Sequence, residues 1–194
     1  NGIVPCGTTG ESPTLTEEEH TKVVKFTVDH VNGRVPVIAG TGSNSTATAI
    51  VLTKEAERDG VTAALVVNPY YNKPTQEGLY RHFKAVADSV SIPIVVYNIK
   101  GRTGVNVETD TLMRLANDCE NIVAVKEASG DMEQMKDVIA KRPEGFSVLS
   151  GDDGVAFELI KNGGNGVISV ASNVIPKEMS EMVSLALSGN MDEA

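Results

Sequence analysis

The stretch AALVVNPYYNKPTQEGLYRHFKAVADSVSIPIVVYN, residues 63–98, contains two short apolar runs rich in β-branched residues, with a helical pattern between them. The runs at 63–69 and 93–98 each predict a buried strand. Between them, after Thr75, an apolar face recurs at helical spacing and predicts a helix, formed by Leu79, Phe83, Val86 and Val90. A strand, a helix and a second strand at this spacing predict parallel strands joined by a right-handed crossover.

The same alternation recurs along the chain. Apolar runs predict seven strands, at 1–7, 35–40, 63–69, 93–98, 122–128, 146–151 and 166–172. Each run is followed by a helical pattern, and Thr16 with Glu19 predicts a capping box at the start of the first helix. The fold class is therefore α/β, and two closures are compatible with this period: an open doubly wound sheet and a (β/α)8 TIM barrel.

The barrel is favoured over the open sheet. A doubly wound nucleotide binder carries a GxGxxG turn after its first strand, and this chain has none. Polar and reactive residues instead follow nearly every predicted strand, as at the mouth of a barrel. Seven strands rather than eight, and a chain that begins inside a strand, lead us to expect a single, incomplete TIM-barrel catalytic domain over residues 1–194.

Composition excludes several classes of protein. With 194 residues, 41% of them hydrophobic and 22% charged, the chain can bury a globular core. A net charge of −9 argues against a nucleic-acid or anionic-membrane partner, because both require clustered cations. Two cysteines are too few for a disulfide framework, and no signal peptide is recognisable, so we expect a cytoplasmic protein.

Lys126 is the strongest candidate for a catalytic residue. It closes the apolar run Ile122–Val125, where an ammonium group is poorly hydrated. Desolvation lowers the pKa of a lysine and frees an amine that can attack a carbonyl, which is the requirement of Schiff-base chemistry. Tyr97 ends the preceding strand, within reach of Lys126, and its phenol could move the protons that such chemistry requires. Alternatively, Lys126 could extend to solvent and Tyr97 could simply line the barrel.

Six motifs together resemble the dihydrodipicolinate synthase family. They are GTTGES at 7–12, NPYYNKPTQEGL at 68–79, YNIKGRTG at 97–104, VKEASGD at 125–131, LSGDD at 149–153 and GVISV at 166–170. The resemblance covers essentially the whole chain, and it implies that the first strand and helix of the barrel and the C-terminal helical extension are absent. It also implies a homo-oligomer, in the form of a dimer of dimers.

The resemblance implies a role for each residue at the strand ends. Lys126 would condense with pyruvate and Tyr97 would shuttle protons, with Thr9 connecting its phenol to Tyr71, which reaches into a neighbouring subunit. Thr8 and Thr9 would hold the pyruvate carboxylate, aided by the backbone near Gly151 and Ile168. Arg102 would bind the carboxylate of aspartate semialdehyde, since a guanidinium fork suits a planar carboxylate. No cofactor and no metal ion is implied.

Three features of the sequence depart from the family pattern or suggest a different kind of site. Lys100 stands where the family usually has proline, which predicts a looser site for the second substrate. Asp152 and Asp153 could bind a metal ion, but they precede a helix, where carboxylates commonly act as caps. The residue types of the family's lysine feedback site are present as Ser12, His20, Asn44 and Tyr70, but Thr48 replaces a carboxylate, which favours insensitivity to lysine.

The sequence therefore predicts a metal-independent class I lyase. The predicted reaction joins pyruvate to aspartate semialdehyde and gives 4-hydroxy-tetrahydrodipicolinate, a step toward diaminopimelate and lysine. One alternative is a sister enzyme, an N-acetylneuraminate lyase or a keto-deoxy sugar acid aldolase, which would share Lys126 and Tyr97. Another is a non-catalytic partner subunit.

Overall fold

The computed structural model of the protein describes all residues 1–194 as alternating strands and helices. The strands are β1 (Ile38–Gly40), β2 (Ala63–Val67), β3 (Ile94–Asn98), β4 (Ile122–Glu127), β5 (Ser147–Ser150) and β6 (Gly166–Val167). The helices are α1 (Glu17–Val31), α2 (Thr46–Asp59), α3 (Gln76–Ala87), α4 (Lys100–Thr103), α5 (Thr109–Asp118), α6 (Met132–Lys141), α7 (Asp153–Lys161) and α8 (Pro176–Leu187). Short 3-10 helices cover Thr8–Gly10, Ser12–Thr14 and Ala171–Asn173.

All six strands are parallel, and they are arranged in chain order from β1 to β6. This order confirms the crossover topology read from residues 63–98, and it matches half of a barrel wall rather than a doubly wound sheet, in which the strand order reverses. The carboxyl ends of all the strands therefore lie at one edge of the sheet. Side chains that follow the strands meet there.

The first predicted strand is not a regular strand. Ile3 forms only an isolated parallel bridge to Val37, supported by hydrogen bonds from the Ile3 amide to the Pro36 carbonyl and from the Ile38 amide to the Ile3 carbonyl. The chain thus runs beside β1 at the position expected, but with a ladder too short to count as a strand. The last strand is also shorter than predicted, because β6 ends at Val167 and the chain turns into a 3-10 helix at Ala171–Asn173.

Two helix starts predicted from the sequence are confirmed. Thr16 and Glu19 form the reciprocal capping box at the beginning of α1. Thr75 caps α3 by accepting a hydrogen bond from the Gly78 amide. The apolar face of α3 packs into the main core, because Leu79, Phe83 and Val86 are fully buried.

Each face of the sheet carries an apolar cluster, and a third cluster lies around α1 and includes Val24, Val37 and Ala39. The larger cluster lies between the sheet and the helices, and it includes Ile94 and Val96 of β3 and Val125 of β4. The smaller cluster lies on the opposite face and contains Leu65, Val95, Tyr97 and Ala124. No helix is long and apolar enough to cross a lipid bilayer.

Candidate active site

Tyr97 and Lys126 are direct neighbours in the sheet. They are register partners at the carboxyl ends of β3 and β4. The Lys126 Nζ atom lies 4.0 Å from the centroid of the Tyr97 ring, over its face. This position allows a cation–π interaction when the amine is protonated. Both side chains are almost completely buried.

An irregularity in β4 determines which way Lys126 points. Ile94 pairs with Ile122, but the next residue of β3, Val95, pairs with Ala124, so Val123 is an extra residue in the ladder. Because side chains alternate along a strand, this extra residue reverses the faces of every position that follows it. Lys126 consequently shares the face of Ala124 and Tyr97 instead of facing the helices.

Gly151, at the end of β5, lies against the stem of Lys126. A Cβ atom at this position would be 3.0 Å from Lys126 Cε and 2.7 Å from the Cβ atom of Ala128. These distances leave no room for a larger residue unless both Ala128 and Lys126 move. The structure thus gives Gly151 a steric role, in addition to the backbone role that the sequence predicted.

Burial changes the acid–base properties of the amine. Lys126 is 7% exposed, and this desolvation lowers its pKa from 10.5 to about 8, with the Asp153 carboxylate acting in the opposite direction. At pH 7 about one molecule in ten then carries a free amine, compared with about one in three thousand for a fully hydrated lysine. A nucleophilic amine is therefore available near neutral pH.

The phenol of Tyr97 stays protonated at neutral pH. Burial raises its pKa, while the Thr8 hydroxyl and the charge of Arg102 lower it by smaller amounts. A neutral phenol can donate a proton to an oxygen that forms next to Lys126. Thr8 is the threonine that acts on the pKa of Tyr97, and the predicted link through Thr9 to Tyr71 stays a prediction.

The remaining predicted residues lie in the segments that follow the strands. Thr8 and Thr9 lie in an exposed 3-10 helix, and Arg102 lies in the short helix α4. Ile168 donates its backbone amide to the Ser150 carbonyl and packs against the cluster that contains Tyr97. Tyr71 is 89% exposed and has a left-handed backbone, with φ of 73°, and its amide donates to the Thr103 carbonyl at 3.3 Å, next to Arg102.

Asp153 is a site residue that sequence reasoning missed. Asp152 is the helix cap, accepting from the Gly154 amide at 2.8 Å. Asp153 instead accepts hydrogen bonds from the backbone amides of Val170 and Ala171, at 3.0 and 2.8 Å. It therefore holds the segment after β6 and places a negative charge near Lys126. Two adjacent aspartates at a helix start do not reveal this division of roles.

Comparison with known proteins agrees with this geometry. The dihydrodipicolinate synthetase family matches residues 1–194. This chain belongs to that family. The 4-hydroxy-tetrahydrodipicolinate synthase of Syntrophus aciditrophicus is 59% identical over all 194 residues. The chain spans 66% of the length of that relative.

Two crystal structures show the same fold in members of the dihydrodipicolinate synthetase family. The dihydrodipicolinate synthase of Aquifex aeolicus superimposes with a TM-score of 0.98 at 53% identity, over 99% of this chain and 66% of that chain. The chloride-inhibited enzyme of Acinetobacter baumannii, complexed with pyruvate, has a TM-score of 0.97 at 50% identity, over 100% of this chain and 66% of that chain. The TIM-barrel class predicted from the sequence is thereby confirmed.

Proposed function

We propose that this chain carries the catalytic residues of a 4-hydroxy-tetrahydrodipicolinate synthase, a lyase of the class I aldolase type. The observation that carries the proposal is the buried Lys126 amine, held 4.0 Å from the centre of the Tyr97 ring. Close relatives that bear this activity in their names, and one that binds pyruvate, support the choice of reaction.

The first half of the proposed reaction forms an imine. The free Lys126 amine attacks the keto carbon of pyruvate and gives a carbinolamine. Tyr97 donates its proton to the departing hydroxyl, which leaves as water, and the nitrogen lone pair forms the C=N bond. The Thr8 hydroxyl, which acts on Tyr97, relays to the phenolate the proton that the amine nitrogen loses when the imine forms. Backbone groups near Gly151 and Ile168 and the hydroxyls of Thr8 and Thr9 bind the pyruvate carboxylate.

The second half joins the two substrates. Loss of a methyl proton from the imine gives an enamine, whose carbon attacks the aldehyde of aspartate semialdehyde. The aldehyde oxygen takes up a proton in place of the one lost and becomes a hydroxyl group. Arg102 binds the carboxylate of that aldehyde. The substrate amine then adds to the imine carbon and closes the ring, and this releases Lys126 as a free amine. Every bond to the enzyme is broken at the end, so the cycle can repeat.

The proposal includes an assembly and a location. Tyr71 projects almost fully into solvent, as expected of a side chain that completes a site in a second copy of the chain. We therefore propose a homo-oligomer, arranged as a dimer of dimers. The net charge of −9 supports small-molecule substrates rather than a nucleic acid, and we place the enzyme in the cytoplasm.

Borohydride reduction in the presence of pyruvate tests the proposal. We expect a stable adduct on Lys126, detected by mass spectrometry of the digested chain, and no adduct in Lys126→Met. Folded protein without an adduct would refute catalysis and favour the non-catalytic alternative. Product analysis with aspartate semialdehyde and with sugar aldehydes then distinguishes the synthase from the sister lyases.

A further inference from the structure

Asn98 and Glu127 occupy the face of the sheet opposite the reactive pair. Each directly follows a reactive residue, Tyr97 or Lys126, and the two are register partners in the ladder. Strand alternation therefore directs them toward the helices. Both are 0% exposed. A carboxylate in such a position requires hydrogen-bond partners, and the structure supplies several.

Glu127 accepts hydrogen bonds from three residues. The Ser129 amide donates to its Oε1 atom at 2.7 Å, and the Gln134 side chain donates to its Oε2 atom at 3.4 Å. Asn98 Nδ2 lies between the two oxygens, at 3.3 and 3.1 Å. The carboxylate therefore fixes the orientation of the Asn98 amide, because only its NH2 group can face Glu127.

The oriented Asn98 amide holds the segment that follows α4. Its Oδ1 atom accepts from the Val107 amide at 3.0 Å, and its Nδ2 atom donates to Asn106 Oδ1 at 2.9 Å. Gln134 contacts the same segment, since it accepts from Asn106 Nδ2 at 2.6 Å and donates to the Val107 carbonyl at 3.1 Å. Residues 106 and 107 are thus bound from both sides.

Asn68, at the end of β2, holds the other part of this loop. Its Oδ1 atom accepts from the Ile99 amide at 3.3 Å. Its Nδ2 atom donates to Thr103 Oγ1 at 3.1 Å and to the Val105 carbonyl at 2.8 Å. Between these anchors lies α4, a single turn that carries Arg102. An isolated turn is not stable by itself, so its position depends on the anchors.

We propose that Glu127, through Asn98 and with Gln134, is a positioning residue that holds Arg102 at the site of the second substrate. This inference rests on the proposed function of Arg102. It also accounts for Lys100: the loop lacks the proline that would stiffen it, and buried side-chain amides restrain it instead. Glu127 acts on the aldehyde through the loop and does not touch the amine chemistry of Lys126.

Hydrogen exchange tests the anchoring without any need for turnover. In Glu127→Gln an amide donor replaces an acceptor and faces the Asn98 NH2 group. We expect the backbone amides of residues 102–107 to exchange about tenfold faster or more, with β2 unaffected. Glu133→Gln, the same change at an exposed position of α6, should leave exchange as in the parent. Unchanged exchange of residues 102–107 in Glu127→Gln would overturn the proposal.

Steady-state kinetics tests the consequence for the substrates. We expect Glu127→Gln to raise the KM for aspartate semialdehyde about tenfold to a hundredfold, while the yield of the borohydride-trapped pyruvate adduct stays within about twofold of the parent. Asn98→Asp should raise the KM in the same direction, because its carboxylate cannot donate to Glu127 or to Asn106 Oδ1. An unchanged KM, or an equal loss of the pyruvate adduct, would refute a positioning role.

Two further outcomes are distinguishable. If Glu127→Gln does not fold, Gln134→Ala removes the contacts to Asn106 and Val107 from a half-buried position, and the same expectations apply with smaller effects. If the parent protein forms no pyruvate adduct, the proposed function fails, and the exchange experiment still decides whether Glu127 anchors the loop.

Discussion

Replacing Lys126 by methionine should stabilise the protein at neutral pH. Methionine keeps an unbranched, apolar stem of similar length, and it removes a charge that the fold desolvates. A fall in the lysine pKa from 10.5 to about 8 means that the folded state binds a proton less readily than the unfolded chain. The amine therefore opposes folding whenever it is protonated.

The size and pH range of this effect follow from the same values. At 1.36 kcal/mol per pKa unit, the protonated amine reduces the free energy of unfolding by about 3 kcal/mol at pH 7. This figure already includes any attraction between the ammonium group and the Tyr97 ring, because such an attraction would raise the pKa of Lys126. Between pH 8 and 10.5 the unfolded state binds more protons than the folded state, so the stability of the parent rises with pH, and at pH 10 less than about 1 kcal/mol of the cost remains.

Urea unfolding of the parent and of Lys126→Met at pH 7 and at pH 10 measures this difference directly. We expect the variant to be more stable by about 1 to 3 kcal/mol at pH 7, and the part of that gain that comes from the charge to vanish at pH 10. Lys54→Met, at an exposed lysine, is the matched control and should show no comparable dependence on pH. A gain that is equal at both pH values would show that Lys126 is hydrated, and the argument for a free amine would fail.

Three more outcomes are expected. The initial rate at which pyruvate forms the borohydride-trapped adduct should rise about tenfold per pH unit below pH 8 and level off above it, because the free amine is the reactant. A rate independent of pH between 6 and 8 would contradict the Lys126 pKa of about 8. Gly151→Ala should lower the free energy of unfolding, measured with urea, by about 1 to 3 kcal/mol and reduce the yield of the pyruvate adduct, because its Cβ atom would press on Lys126 Cε. Gly101→Ala is the control and should do neither, because a Cβ atom there meets nothing within 4 Å. Lys100→Pro should lower the KM for aspartate semialdehyde, because position 100 opens α4, where proline is well tolerated; an unchanged or higher KM would count against the idea of a loosened loop.

The adjacency of Tyr97 and Lys126 could be predicted from the sequence because the chain repeats one unit. Consecutive parallel strands are neighbours, and residues at their carboxyl ends meet, so two strand ends were enough to bring the phenol to the amine. The helices after Thr16 and Thr75 were predictable for a similarly local reason, since capping residues and an apolar face lie within one turn of each other.

Other parts of the site depend on contacts that no local pattern contains. Residues 1–7 form a bridge rather than a strand, since Ile3 and Val37 are the single bridged pair between this segment and its neighbour. Asp153 differs from Asp152 because of amides that lie 17 and 18 positions further along the chain. The partners of Glu127 come from β3, from the loop after β4 and from α6, and in the sequence Glu127 is only a charge beside the more conspicuous lysine.

The extra residue Val123 determines which side chains of β4 face the phenol of Tyr97. Had the ladder continued regularly from Ile122, Lys126 would project among the helices and Glu127 would face the phenol. Composition, length and overall hydrophobicity would be identical in that arrangement, but an acid would stand where the nucleophile now stands. Val123 is half-exposed and lies four residues before the end of β4, away from the reacting atoms. It nevertheless decides which of two neighbouring side chains meets the substrate.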